Sequence, residues 1–188
     1  TLNTVTTDAT SADLAWTATH TNGDTRVEYR DSDNTTWIMD RTVGFGTETA
    51  TISGLDNGTT YDFRVVATTA DADSPSNALT DTTTLPDEDQ PILGNGVKDE
   101  IAVDRETAVS QNGDVRYQLR RTEDAPDWET APSFKEFVGA FNTLTFEFVG
   151  LLDGEEYEVR GRTETDDVTG AWTAPVSIVT KFPAITGL

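Results

Sequence analysis

The sequence holds no cysteine, one histidine, one methionine and, among 13 basic residues, only three lysines: Lys98, Lys135 and Lys181. Each scarcity removes some chemistry. Without cysteine there is no disulfide framework, no thiolate zinc site and no cysteine nucleophile. The single histidine, His20 between Thr19 and Thr21, cannot form a His-x-x-x-His metal pair, and it reads as a solvated strand-edge residue. No Gly-rich phosphate loop and no Gly-x-Ser-x-Gly elbow occurs. No apolar run reaches 18 residues, so no helical membrane span is expected. The 13 basic residues face 34 acids, for a net charge of −21, and a pI near 4.1 excludes a nucleic-acid backbone as partner.

Leu, Ile, Val and Phe make up only 40 of the 188 residues. That is just above the roughly 20% below which a highly charged chain stays disordered, so pattern has to decide whether a core exists. A repeat decides it. Residues 54–69 contain Gly54, Leu55, Gly58, Tyr61 and Arg64, and residues 150–165 return Gly150, Leu151, Gly154, Tyr157 and Arg160 at a constant offset of 96. Upstream, Asn22-Gly23-Asp24 with Val27-Glu28-Tyr29-Arg30 answers Asn112-Gly113-Asp114 with Tyr117-Gln118-Leu119-Arg120. Each copy alternates apolar and polar residues, as in Tyr61-Asp62-Phe63-Arg64-Val65 and Thr145-Phe146-Glu147-Phe148-Val149. That period of two predicts half-buried strands, and Gly/Asn/Asp clusters every ten or so residues predict turns between them. Two all-β sandwiches, each large enough for its own core, are the expectation.

The charge is spread evenly along the chain: −9 over residues 1–86, −3 over 87–90 and −9 over 91–188. Exposed like charges repel across about 10 Å at 0.1 M salt and across about 3 Å at 1 M. Few Lys, many Asp and abundant Thr look like the composition of an extreme halophile, whose solvent screens this repulsion.

A Trp-bearing strand, a Tyr-bearing strand and then Gly-Leu-x-x-Gly-x-x-Tyr-x-x-Arg resemble the fibronectin type III family, twice over nearly the whole chain. The resemblance implies two tandem β-sandwiches of seven strands each, with Trp16 in the second strand, Tyr29 in the third and Tyr61 in the sixth. Leu55, Leu151, Tyr61 and Tyr157 become structural residues, the tyrosines pinning a corner through their hydroxyls. Val103 is expected where Trp16 stands in the first copy, with Trp128 or the Phe134/Phe137/Phe141 group compensating and a following loop about three residues longer. The division expected is domain 1 over 1–86, an acidic linker over 87–91, domain 2 over 92–183 and the start of a third module over 184–188.

No catalytic residue and no cofactor is expected, since acidic pairs are unavoidable among 34 carboxylates. Calcium is the one metal considered, with Asp56, Asp87, Asp89, Asp166 and Asp167 as ligands at the junction the resemblance implies. Trp37, Trp128 and Trp172 are the candidate partner contacts, and Asn34 and Asn57 head Asn-x-Thr sequons, a number that chance alone supplies here. The segment Tyr157 to Leu188 resembles tail or fibre proteins of haloarchaeal tailed viruses. The resemblance implies a non-catalytic extracellular module on a virion or cell surface, within a longer chain and an oligomeric assembly. Its partners would be other protein subunits or glycans, with no nucleic acid and no membrane insertion. A halophile adhesin or surface-layer-associated protein, or the accessory module of a secreted hydrolase, are the alternatives.

Overall fold

A computed structural model describes residues 1–70, 72–94, 99–124 and 126–182. The expected third module, 184–188, lies outside them. The chain divides into two compact units, Thr1–Thr84 and Leu85–Leu188.

Unit 1 is built from β1 (Leu2–Thr7), β2 (Ser11–Trp16), β3 (Asp24–Asp31), β4 (Ile38–Val43), β5 (Thr49–Ser53), β6 (Thr60–Thr68), β7 (Asp73–Pro75) and β8 (Leu79–Thr82). One sheet runs β1-β2-β5; the other runs β4-β3-β6, with β7 and β8 both pairing β6 as two pieces of one last strand. All pairs are antiparallel. Inward positions alternate as the sequence pattern requires: Ala12, Leu14 and Trp16 from β2 meet Val27 from β3 and Tyr61, Phe63 and Val65 from β6 in one buried cluster. Burying each large apolar side chain stabilises the sandwich by about 1.5–3 kcal/mol.

Unit 2 repeats this plan with β9 (Ile92–Leu93), β10 (Glu100–Asp104), β11 (Asp114–Arg121), β12 (Lys135–Ala140), β13 (Thr145–Val149), β14 (Glu156–Glu164) and β15 (Val176–Val179). Its sheets run β13-β10-β9 and β12-β11-β14-β15. Ile101, Val103, Tyr117, Leu119, Phe148, Tyr157 and Val159 form its buried core. The Asn-Gly-Asp turn that opens β3 and β11 needs its glycine. Gly23 and Gly113 sit at φ +83° and +77°, and a Cβ there would lie 2.2–2.3 Å from the carbonyl oxygen of Thr68 or Glu164.

Register corrects one expected equivalence. Trp16 N donates to Glu48 O and Arg105 N donates to Leu144 O, each at 2.9 Å. Glu48 and Leu144 stand at the constant offset of 96, so the residue in Trp16's place is Arg105, not Val103. The loops that follow are residues 17–23 and 106–113, so the second is one residue longer rather than three. Val27 opposite Val65 in unit 1 becomes Tyr117 opposite Gly161 in unit 2. A Cβ on Gly161 would sit 2.4 Å from the Tyr117 ring, so the glycine leaves the room that the tyrosine fills. Space is also filled by Phe146, stacked on Phe137 at 4.0 Å and 4.9 Å from Tyr117. Trp128 takes no part in that ring cluster; it lies against arginines on the other face of the sheet.

Candidate functional site

Three arrangements of polar side chains stand out, and the first lies where a linker was expected. Glu88 is part of unit 2, buried beside Arg105, the two side chains 0% and 1% exposed. The guanidinium grips the carboxylate at both oxygens, Nε to Oε1 at 2.6 Å and Nη2 to Oε2 at 2.7 Å. Arg105 Nη1 donates to the carbonyls of Phe141 and Thr143 at 2.7 and 2.8 Å, and the Tyr117 hydroxyl donates to Glu88 Oε1 at 2.8 Å. Burial, and then the carboxylate beside it, push the Tyr117 phenol far above its ordinary pKa. Thr163 Oγ1 donates to Pro86 O at 2.7 Å, and Gln90 Nε2 to Ala174 O at 3.4 Å. The unit boundary thus falls between Thr84 and Leu85, and the segment 87–91 is tied onto unit 2, because the buried Arg105 requires a carboxylate that Glu88 supplies.

The second arrangement is a pair of matching ladders on the outer faces of the sheets that contain β3 and β11. In unit 1, Glu28 takes Arg26 Nε at 2.5 Å and Arg64 Nε at 2.7 Å, while Arg30 pairs with Asp62 at 2.8 Å. The Trp37 ring lies under both Arg30 and Arg64, at 4.6 and 4.1 Å. In unit 2, Arg120 pairs with Glu158, Arg116 joins Glu136 and Glu164, and Gln118 takes the place of Glu28. Arg160 hydrogen-bonds Gln118 Oε1 at 2.7 Å and lies between Trp128 and Trp172, each 4.3 Å away. Desolvation in that stack lowers its pKa. Trp172 also touches Arg162, at 4.4 Å. Alternation explains the placement: on β3, β6, β11 and β14 the even-numbered residues face away from the core, and Arg26, Arg30, Arg64, Arg116, Arg120, Arg160 and Arg162 occupy such positions. Each Arg–Trp contact contributes about 0.5–1 kcal/mol where exposed and more where desolvated.

The third arrangement is the corner. Asp56 N donates to the Tyr61 hydroxyl at 3.1 Å, and Leu152 N to the Tyr157 hydroxyl at 2.9 Å. Leu55 and Leu151 are buried next to those turns, Trp16 is 3% exposed, and Tyr29 packs partly buried against the core.

The remaining expected sites differ in burial. Asp56 is exposed in unit 1; Asp87, Asp89, Asp166 and Asp167 are exposed in unit 2. Among the described residues no three His, Cys, Asp or Glu side chains gather as a metal site. Trp128, expected as a partner contact, is only 8% exposed, and arginines cover its face, so it is a packing residue. Trp37 and Trp172 keep part of their surface. Asn57 is 1% exposed within its turn, which closes that sequon to a glycan in the folded state, whereas Asn34 is exposed between β3 and β4.

Residues 2–82 match the fibronectin type III domain model. Among solved structures, a two-domain fibronectin type III segment of chicken tenascin is similar at TM-score 0.69 and 16% identity, covering 97% of this chain and 98% of that one. At that identity the likeness shows the fold: two tandem fibronectin type III β-sandwiches. The FN1–FN3 domains of chicken CNTN1 are a more distant likeness, at TM-score 0.46 and 12% identity over 96% of this chain and 67% of that one. No curated protein matches. Arg105–Glu88 is the element that sequence reasoning missed, although Arg105 next to a strand and Glu88 in an acidic run were both visible.

Proposed function

We propose that the chain is a non-catalytic structural module of a virion surface in a high-salt environment, a spacer whose loops and Trp-bearing faces contact protein or glycan. One observation carries the reading. Nine of the ten arginines are ion-paired, and the tenth, Arg160, is held by Gln118 and two tryptophans. The arginines are spent on internal cohesion, and the excess acid that makes up the charge of −21 faces solvent. Such a surface is soluble and self-repelling in dilute buffer, and screened in molar salt. The tandem sandwich supplies extended scaffold, and tandem copies in an oligomer add avidity. The test is immuno-electron microscopy of particles and cells from the source, using antibody raised against the chain. Label at regular positions on virions supports the reading. Label confined to cell envelopes points to the adhesin alternative, and protein found only free in the medium overturns both.

A further inference from the structure

Unit 1 has a half-open cavity of about 280 Å³ where β2 runs out toward β3, next to the end of β6 and the start of β7. Two residues of its wall each carry a buried polar atom without a hydrogen-bond partner, Trp16 Nε1 and His20 Nε2. Trp16 is 3% exposed, and an indole N–H can only donate, so this group is left without an acceptor. The rest of the wall is mainly hydroxyl: Thr17, Thr19, Thr25, Ser74 and Ser76 line it, and none of the lining residues is acidic in a chain with 34 acids.

Unit 2 shows what the same place in the fold takes when it is filled. Arg105 stands in the register position of Trp16, and its donors close on the carboxylate of Glu88, which also receives the Tyr117 hydroxyl. We infer that the unit 1 cavity is a receptor for a carboxylate, which accepts from Trp16 Nε1–H, from His20 in its Nε2–H form and from the hydroxyls of Thr17, Thr19, Thr25 and Ser74. One water's share of liquid volume is about 30 Å³, so the space holds a carboxylate with a short stem as well as water. An acidic side chain of a peptide and a free small carboxylic acid share this chemistry. The site is independent of the virion reading, since it rests on unit 1 alone.

The test follows the four indole N–H resonances of the full ¹⁵N-labelled chain at constant 1 M NaCl. The probes are capped glutamate (N-acetyl, N-methylamide), acetate, and capped glutamine as the neutral isostere. The Trp16 signal, identified by its loss in Trp16→Phe, is expected to shift saturably with the carboxylates while Trp37, Trp128 and Trp172 stay put. Capped glutamine binds at least about tenfold more weakly, since a charged acceptor makes the stronger hydrogen bond. Saturation by capped glutamate well below acetate identifies a peptide side chain as the ligand; equal saturation identifies a free small acid. His20→Ala, which leaves the buried indole in place, weakens binding several-fold. A Trp16 signal that only drifts without saturating, an equal response to glutamine, or an unchanged affinity in His20→Ala overturns the inference, leaving a solvent-filled cleft.

Discussion

Glu88→Ala is the sharpest perturbation available, because it separates a linker residue from a core residue. The substitution removes the carboxylate bonded to Arg105 and leaves a guanidinium whose side chain is 1% exposed, together with a Tyr117 hydroxyl that loses its acceptor. Two carbonyls, of Phe141 and Thr143, still receive Nη1, but they do not neutralise the charge. Breaking one side of such a buried pair costs about 3–5 kcal/mol. With a urea slope near 2 kcal/mol per M, the unit 2 midpoint falls by about 2 M. Amide hydrogen exchange on the full chain reads the same loss unit by unit. Protection in β11 and β14 drops about a thousandfold for a loss near 4 kcal/mol, while β3 and β6 keep theirs. The cost is the same in 0.5 M and 3 M salt, since mobile ions do not screen a pair excluded from water. Removing both charges with apolar residues, Glu88→Leu with Arg105→Met, recovers most of the loss. A change of less than 1 kcal/mol in Glu88→Ala refutes the reasoning, for it means that water or another group replaces the carboxylate.

Gly161→Ala pushes a methyl group into the Tyr117 ring and destabilises unit 2 by about 1–3 kcal/mol, measured as a shift in urea midpoint; the double variant with Tyr117→Val relieves most of it. Alkaline pH weakens unit 2 through Tyr117. The folded phenol is held above its ordinary pKa of 10.0 while the unfolded one ionises there, so stability is whole below about pH 10 and falls as pH rises beyond it; Tyr117→Phe flattens that slope in pH-dependent unfolding. Acid acts through the ladders. The Arg116 hydrogen bonds and charge lower the Glu164 pKa below 4.5, so its contribution is present above that value and is lost as pH falls through the folded value, an effect absent in Glu164→Gln. Transfer from 2 M to 0.05 M NaCl lowers the thermal midpoint, read by near-UV circular dichroism; an unchanged midpoint counts against the salt-adapted reading of the −21 charge.

The fold was legible because it depends on local and repeated signals. Alternation alone places Phe63 and Val65 inward and Asp62 and Arg64 outward, and the constant offset of 96 locates both corners. The second copy's core was harder to read, because its changes compensate each other through space. Trp16 giving way to Arg105 reads as the loss of a core residue unless Glu88 is known to fold back onto it, and nothing local links residues 88 and 105. Pairing Trp16 with Val103 keeps an apolar residue in an apolar place, but the hydrogen bonds of Trp16 N to Glu48 O and of Arg105 N to Leu144 O decide otherwise. Gly161 likewise looks like a weak strand residue until the Tyr117 ring is seen over it. The ladders were partly visible as Arg at alternate positions, but which acid meets which arginine depends on cross-strand register.

Scarcity of positive charge explains where the arginines went. A chain with 13 cations and 34 anions cannot neutralise its surface, so each cation contributes most where it holds strands together. On the ladders a guanidinium does two jobs that an ammonium does poorly: it forks onto a carboxylate and lies flat on an indole. Six arginine–tryptophan contacts are made by five arginines, because Arg160 serves Trp128 and Trp172 at once. Replacing Arg160 by Lys keeps the charge and removes the flat stacking surface, so both tryptophans lose packing together. Lysine is therefore the poorer residue at these positions, whatever the solvent. The low lysine count, which first reads as a signature of salt adaptation alone, also follows from a fold that binds its sheet faces through stacked and forked arginines. Salt titration of Arg160→Lys separates the two causes: a deficit that persists at 3 M NaCl belongs to stacking, and one that vanishes there belongs to screened charge.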